Sequence, residues 1–206
     1  MSPLHFRAAT LADRDAIIAL VTSAYRGDAS RAGWTTEADL LDGPRVAPEV
    51  LQHDLTRPRS VVVIAERDER PAVAAAPEPG VLVTVRRMVA CAHVCDDFGA
   101  GYFGMFAVEP TRQGGGVGDA VLRECERIAR DEWRLPVMQM TVIDVRDALI
   151  AWYQRRGYHR TGVFKPFPYG DARFGLPKRD DLRFEVLEKS LIRQAEPAPP
   201  TEPQHQ

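Results

Sequence analysis

The chain has 206 residues, 45% of them hydrophobic and 27% charged, and this composition is typical of a soluble globular protein. Its 27 Lys and Arg residues against 29 Asp and Glu residues give a formal net charge of -2, which argues against nucleic acid as the main partner. Three cysteines cannot form a disulfide scaffold in a chain of this length, and they predict a cytoplasmic location. The sequence has neither a signal segment nor the roughly 20 apolar residues of a membrane span, so no membrane is expected as a partner.

The first quarter of the chain predicts a strand, a helix and a loop. The strand is expected at residues 5–9, and Thr10 with Asp13 has the spacing of a capping box, in which the acid accepts the amide hydrogen of the cap. Apolar residues then recur at helical spacing up to Tyr25. Glycines mark residues 26–36 as a loop. Two short helical segments are predicted next, at residues 37–41 and 48–55.

Strands dominate the middle of the chain. Residues 68–80, rich in proline, alanine and charge, are expected to form an exposed excursion, and residues 96–101 have turn chemistry. The strand-like segments at residues 81–85 and 88–95 are compatible with one long bent strand. The predicted strand-like segments are residues 60–67, 81–85, 88–95 and 102–108.

Two helices are predicted in the second half of the chain. Residues 118–133 place apolar side chains on one stripe and charged side chains opposite, as in an amphipathic helix. Asp144 and Asp147 have the spacing to cap a later helix, which Gly157 would end after Arg156. Strands are expected at residues 136–143, 158–165 and 182–187.

Residues 1–190 are expected to form a single domain, since no internal repeat divides them. The remaining residues, 191–206, are rich in proline and polar side chains and are expected to be a disordered tail.

A glycine-dense turn joins a predicted strand to the amphipathic helix. The unpaired N–H groups at the start of a helix stabilise anions, and glycines remove the Cβ atoms that would keep an anion away. A dinucleotide-binding fingerprint does not fit, because Asp119 stands where its third glycine belongs. A P-loop does not fit either, because Gly118 is followed by neither a lysine nor a hydroxyl residue.

Two motifs together resemble those of one enzyme family. Gln113-x-x-Gly116-x-Gly118, preceded by Val108-x-Pro110, resembles the acyl-coenzyme A motif of the GNAT superfamily of N-acetyltransferases. Tyr153-x-x-x-Gly157-Tyr158 is similar to the other GNAT signature, at the end of a helix. A flexible glycine loop and simple aromatic packing are the alternatives for each motif alone, and the order and spacing of the pair favour the family.

The sequence departs from the family pattern at two positions. Arg146 and Leu149 stand seven and four residues before Tyr153, where the family often has Asn and Ala. A coenzyme contact made by that Asn in the family is therefore not expected here.

The resemblance implies an α/β (α+β) fold with a mixed, mostly antiparallel central sheet of six to seven strands flanked by helices, and acetyl-CoA as cosubstrate. It implies that the strand at residues 104–108 splays from that at 137–142, and that the pantetheine arm enters the gap. Tyr153 would protonate the leaving thiolate, because a phenol with a reference pKa near 10 keeps its proton at neutral pH. The implied coenzyme-binding residues are Phe106, Ala107 and Val108 along the pantetheine, Gln113 framing the turn, and Gly114, Gly115, Gly116, Val117 and Gly118 at the pyrophosphate.

The expected acceptor is a primary amine on a small molecule or a peptide, and direct attack in a ternary complex is favoured. The family usually builds the acceptor pocket from segments that correspond to residues 33–37 and 164–169. Aromatic walls with Glu37 would suit a small cationic or amphipathic amine, and a loop packed by Trp34 is an equal alternative. The general base stays open between ordered water and three acids: Asp96, Asp97 and Glu109.

Cys91, His93 and Cys95 share one face of a strand, an arrangement compatible with a metal site. Cys is commonly a small buried residue, however, and no metal is expected. A non-catalytic acyl-CoA-binding regulatory domain and an acyltransferase that uses another acyl-CoA are the alternative functions. An exposed sheet edge is compatible with a homodimer.

Overall fold

A computed structural model describes residues 2–69 and 84–192 of the chain. The four α-helices in these residues are α1 (Arg14–Tyr25), α2 (Pro48–Thr56), α3 (Val117–Arg127) and α4 (Asp147–Gln154). The nine strands are β1 (Leu4–Ala8), β2 (Leu41–Asp42), β3 (Ser60–Glu69), β4 (Val85–Asp97), β5 (Ala100–Val108), β6 (Val137–Ile143), β7 (His159–Pro166), β8 (Leu176–Pro177) and β9 (Arg183–Ser190). Most of the excursion expected at residues 68–80, the start of the strand expected at 81–85 and most of the expected tail lie outside the described residues.

Seven strands form one sheet in the order β1-β3-β4-β5-β6-β9-β7, and β2 pairs with β8 in a separate two-stranded sheet. Neighbours in the large sheet are antiparallel, except β5 and β6, which are parallel. The expected mixed, mostly antiparallel sheet of six to seven strands flanked by helices is therefore confirmed.

Helices cover both faces of this sheet, and β3 reflects that arrangement. Val63 and Ala65 pack in the cluster that contains α3 and α4, whereas Val62 and Ile64 pack with α1 and α2 on the other face. Because successive side chains of a strand point to opposite faces, a strand buried on both faces needs an unbroken apolar run. The β-branched run of the sequence is the signature of this double burial.

The starts and ends of the helices follow the sequence signals in most places. Asp13 Oδ2 accepts the N–H of Thr10 at 2.8 Å, as the capping box predicts, and hydrogen bonds from Arg7 hold the pKa of Asp13 well below its usual range. α3 continues through a π-helical turn, Ile128–Glu132, so the helix predicted at residues 118–133 is confirmed in extent. None of the helices in the described residues combines the length and hydropathy needed to cross a membrane.

Two local predictions are wrong. Residues 37–41 form a single turn and then enter β2, because β2 pairs with β8 and Glu37 is held in buried ion pairs. Asp144 does not cap α4, whose N-cap position is Arg146. The Asp144 carboxylate instead accepts a hydrogen bond of 2.5 Å from Nε of Arg183.

β5 and β6 separate soon after they meet. They pair only at Gly101 with Met138 and at Tyr102 with Gln139. β5 then carries an irregularity in its pairing with β4, where Met105 adopts a φ of 43°. Such a bulge bends a strand and re-aims its backbone groups. The predicted splay between these two strands is confirmed, and it places unpaired backbone of β5 beside a gap in the sheet.

Candidate active site

A groove of about 600 Å³ lies where β5, the glycine turn, the start of α3 and α4 meet. The side chains of Ala107 and Val117 are buried in the core instead, so any contact they make with a ligand runs through the main chain. Gly115 belongs to the turn but not to the groove lining. The predicted coenzyme-binding residues that do line the groove are Phe106, Val108, Gln113, Gly114, Gly116 and Gly118.

The glycine turn leaves the start of α3 open. Gly114 and Gly116 have φ angles of 84° and 76°, a left-handed conformation that L side chains rarely adopt. Gly116 is the N-cap and has no side chain to accept the free N–H groups of the first turn; its carbonyl accepts the N–H of Ala120 at 3.0 Å. Unpaired N–H groups and the positive end of the helix dipole therefore face the groove, which suits a phosphate.

Gln113 ties the turn to the segment that follows α1. Its Oε1 accepts the N–H of Trp34 at 2.9 Å, and its Nε2 donates to the carbonyl of Val108 at 3.3 Å. A Cβ atom on Gly33 would lie 2.6 Å from the same Oε1, so this approach needs glycine there. Gln113 thus frames the turn, as the resemblance implied, by holding the two walls of the groove together.

Sequence reasoning missed three groove-lining residues that belong to the second motif: Trp152, Arg155 and Arg156; Trp34 was expected near the acceptor and also lines the groove. The guanidinium carbon of Arg156 lies 3.6 Å from the centre of the Trp152 ring, and its Nε donates to Asp119 at 2.9 Å. Two cations therefore border the groove near the open start of α3. Their adjacency to Tyr153 in the second motif was the available signal.

A smaller cavity of about 60 Å³ lies deeper, in the gap between β5 and β6. Tyr25, Phe106 and Leu149 line both the groove and this cavity, so the two spaces are neighbours. The hydroxyl of Tyr25 donates a hydrogen bond to the carbonyl of Phe106, which links two of these shared wall residues.

Tyr153 lies in the wall of the inner cavity and is only 4% exposed. Its ring packs edge-on against Phe103, Trp152 and Tyr158, with centroid distances of 6.4, 5.0 and 5.8 Å. Burial raises the pKa of Tyr153 well above its usual value, because a phenolate would lose its hydration. The hydroxyl is therefore a protonated donor at neutral pH.

Glu37 lies in the same cavity among three arginines. Its carboxylate is 2.7 Å from Arg26, 3.2 Å from Arg45 and 2.8 Å from Arg146. These guanidinium groups lower the pKa of Glu37 to about 2, against the effect of its burial. Glu37 is thus a fully charged partner of arginines. The expectation that it would favour a cationic amine is not supported by these contacts.

Arg146 takes up this position in place of the Asn common in the family. One Nη donates to Glu37 at 2.8 Å and the other to the hydroxyl of Thr35 at 2.6 Å. The departure from the family pattern therefore ties the start of α4 to residues 35–37.

The second segment expected near the acceptor, residues 164–169, contributes only indirectly. Phe167 is buried in a separate cluster and packs on Phe184 at a centroid distance of 5.5 Å. Phe184, at the start of β9, is the residue that lines the inner cavity.

The three candidate bases lie outside both cavities. Asp96 and Asp97 are at the end of β4, where β5 begins, and Asp96 accepts a hydrogen bond of 2.6 Å from Arg59. Glu109 is paired with Arg87 and Arg112. None of the three is positioned to take a proton in the gap, which leaves ordered water as the route that the sequence analysis kept open.

His93 takes part in a separate buried cluster. Its Nε2 lies 2.8 Å from Ser60 Oγ, and its Nδ1 lies 3.6 Å from Asp54. Ser60 Oγ donates its proton to the carbonyl of Asp54 at 2.6 Å, so the serine accepts from His93 and is not activated by it. Burial lowers the pKa of His93 to about 4. Among the described residues, no group of three His, Cys, Asp or Glu side chains is arranged to hold a metal ion.

The family model for the GNAT acetyltransferase domain matches residues 58–160, which contain β3 to α4 and both motifs. The chain belongs to the GNAT acetyltransferase family. The match covers the splayed strands, the glycine turn and Tyr153 of this GNAT protein, whereas Tyr25 and Trp34 in the groove lining lie outside it. A sequence search of the curated proteins gives no match.

Solved GNAT structures share the fold at low identity. The ribosomal-protein-S18-alanine N-acetyltransferase from Escherichia coli superposes with a TM-score of 0.61 at 13% identity, covering 94% of this chain and 97% of that chain. The ribosomal-protein-alanine N-acetyltransferase from Brucella melitensis gives 0.58 at 18% identity, with 90% and 99% covered. A GNAT-family acetyltransferase from Streptococcus pneumoniae gives 0.57 at 14% identity, with 91% and 99% covered. At these identities the likeness concerns the fold.

Proposed function

We propose that the protein transfers an acetyl group from acetyl-CoA to a primary amine by direct attack in a ternary complex. The observation that supports this proposal is that the groove at the open start of α3 adjoins an inner cavity lined by Tyr153, with three lining residues common to both. The proposed acceptor is a small molecule or a peptide, and the proposed location is the cytoplasm.

The groove fits the parts of acetyl-CoA. Free N–H groups at the start of α3, with Arg155 and Arg156 beside them, suit the phosphates. β5 is not paired with β6 near Phe106 and Val108, and its main-chain N–H groups there suit the carbonyls of the pantetheine arm; the carbonyls of Phe106 and Val108 already accept hydrogen bonds from Tyr25 and Gln113. The acetyl group would then lie in the gap between β5 and β6.

Few side chains take a direct part in the proposed acetyl transfer. The acceptor ammonium loses one proton to solvent through ordered water, its nitrogen forms a bond to the acetyl carbon, and the bond from that carbon to sulfur breaks. The second proton of the attacking nitrogen leaves as the amide forms and, through the same water, restores the proton that Tyr153 gives to the sulfur. A main-chain N–H of β5 polarises the carbonyl. Tyr153 donates its proton to the leaving sulfur, which avoids release of a free thiolate.

The proposal is tested by thermal unfolding with and without acetyl-CoA. A ligand present at 100 times its Kd stabilises a folded protein by about 2.7 kcal/mol, so we expect a clear rise in Tm with acetyl-CoA and none with NAD. An unchanged Tm at millimolar acetyl-CoA would contradict the proposal. Thiol release with amine panels then separates an enzyme from a regulatory domain that binds the coenzyme without turnover, and competition between acyl-CoA thioesters identifies the acyl group.

The role of the glycine turn has its own test. Gly116→Ala is expected to reduce stability by about 1–2 kcal/mol, because alanine is strained in the left-handed conformation, and to raise the Kd for acetyl-CoA about tenfold, because the new methyl group lies at the phosphates. Denaturant unfolding and calorimetry measure the two effects.

Gly170→Ala is the matched control. Gly170 has a φ of 87° and, like Gly116, no atom within 4 Å of an added Cβ, but it lies outside the groove. We expect a similar loss of stability and an unchanged Kd. Equal Kd changes in both variants would show that the effect of Gly116→Ala is a general one on folding.

A further inference from the structure

The inner cavity carries an excess of positive charge. Arg45 and Arg146 line it together with Glu37, and Arg26 pairs with the same carboxylate without lining the cavity, so the cluster of three guanidinium groups and one acid has two excess positive charges. The groups that influence the pKa of Glu37 are these same three arginines. A cationic acceptor would be repelled from such a cavity, whereas an anionic group would be attracted to it.

Of the two arginines that line the inner cavity, Arg45 is the one without a side-chain hydrogen bond; Arg26 also has an unpaired Nη, but it does not line the cavity. Arg26 donates to Glu37 and to the carbonyl of Gly43, and Arg146 donates to Glu37 and Thr35. Arg45 lies 3.2 Å from Glu37 through Nε, but this atom is buried without a hydrogen bond, and none of the described residues accepts one from Arg45.

The position of Arg45 connects it to the reacting end of the site. It lines the inner cavity together with Tyr153, and its guanidinium lies 5.1 Å from the centre of the Tyr25 ring. Its side chain is 31% exposed, so a ligand can reach it. Arg45 does not line the groove that holds the open start of α3, so the coenzyme phosphates have a separate set of cations there.

We propose that the acceptor is an amine that also carries a carboxylate, and that this carboxylate binds the guanidinium of Arg45. The planar fork of a guanidinium matches the two oxygens of a carboxylate, and a charge-assisted pair would supply the hydrogen bonds that Arg45 lacks. Met105, Val142 and Phe184 line the same cavity, whose volume of about 60 Å³ suits only a short apolar body between the two polar ends. The assignment rests on the proposed N-acetyltransferase function, whose acceptor class it names.

The experiment compares amino acids with their carboxamides. L-alanine, L-leucine, β-alanine and 4-aminobutyrate are each assayed beside the matching amide, with thiol release from acetyl-CoA as the readout. We expect kcat/KM to be at least tenfold higher for the acid in one or more pairs. An aminophosphonate and a diamine of similar length complete the panel, and both are expected to be poorer acceptors than the best acid.

Arg45→Gln tests the residue itself. The variant removes the charge but leaves Glu37 with Arg26 and Arg146, so the cluster keeps its remaining ion pairs. We expect KM for the best acid to rise at least tenfold and the preference for acid over amide to fall towards one, with the Kd for acetyl-CoA within twofold. Arg45→Lys, which keeps the charge without the fork, is expected to be intermediate.

Arg31→Gln is the control, because Arg31 is an exposed arginine paired with Asp39 outside both cavities. Its acid preference should match that of the unmodified protein. A protein that binds acetyl-CoA but acetylates amides, diamines or the aminophosphonate as well as the acids keeps the proposed function and overturns the carboxylate assignment. Arg45→Gln with an unchanged acid preference overturns it as well. A protein that does not bind acetyl-CoA loses both proposals.

Discussion

Tyr153→Phe is expected to lower kcat by about a hundredfold or more, because a positioned general acid contributes about 10²–10⁴ to the rate. The ring remains in place against Phe103, Trp152 and Tyr158, so the fold and the Kd for acetyl-CoA should change little. Thiol-release kinetics and calorimetry measure the two quantities. Because burial raises the pKa of Tyr153, its deprotonation should not limit kcat from neutral pH up to about pH 10.

Tyr158→Phe provides the matched control for that variant. Tyr158 is also buried, and its hydroxyl donates to Glu126 at 3.0 Å, on the side of α3 and away from the cavities. The variant should lose about 1 kcal/mol of stability and keep its kcat, since Glu126 retains Lys189 at 2.8 Å. If Tyr153→Phe keeps kcat as well, the role of Tyr153 as proton donor is refuted.

Glu37→Gln is expected to destabilise the protein by about 3–5 kcal/mol, because it removes the only countercharge that the described residues give to three closely spaced arginines. Denaturant unfolding at pH 7 measures the loss. Glu132→Gln is the comparison, since Glu132 is 52% exposed in its pair with Arg127 and should change stability by less than about 1 kcal/mol. Similar losses in both variants would show that the burial of Glu37 gives its ion pairs no special weight.

The same variant has a defined pH dependence. The pKa of Glu37 is lowered from 4.5 to about 2 in the folded protein, so its stabilising effect is complete above pH 4.5 and is lost as pH falls towards 2. The difference in unfolding free energy between the unmodified protein and Glu37→Gln should therefore be largest near neutral pH and shrink below pH 4.5. A difference that stays constant down to pH 2 would mean that the carboxylate is not stabilised in its charged form.

Much of the fold was predictable because its strands and helices correspond to local patterns of apolar residues in the sequence. The β-branched run of β3 and the apolar stripe of α3 each reflect burial of a defined face, and the pattern survives in the sequence. The glycine turn was predictable for a similar reason, since Gly114 and Gly116 occupy a conformation that few other residues adopt. Residues close together in the chain determine these features, so a single sequence is enough to predict them.

The arginine cluster around Glu37, on the proposed acceptor side of the site, was not predictable from local patterns. Glu37 meets an arginine from the end of α1, one from the loop before α2 and one from the start of α4, and no spacing in the sequence indicates that they converge. The error at residues 37–41 has the same origin, because a local helical pattern gave way to pairing between β2 and β8. Contacts between distant segments therefore determine the charges in the inner cavity.

The short pairing of β5 and β6 also bears on how this site can persist while sequences diverge. The strands share two residue pairs and then part, and the edge of β5 that they leave open offers main-chain groups, which every amino acid except proline supplies in full. Substitutions other than to proline along this edge keep the main-chain donors and acceptors that a ligand meets. Families built on this plan can therefore exchange most of their side chains and keep their shape, as the TM-score of 0.61 at 13% identity illustrates.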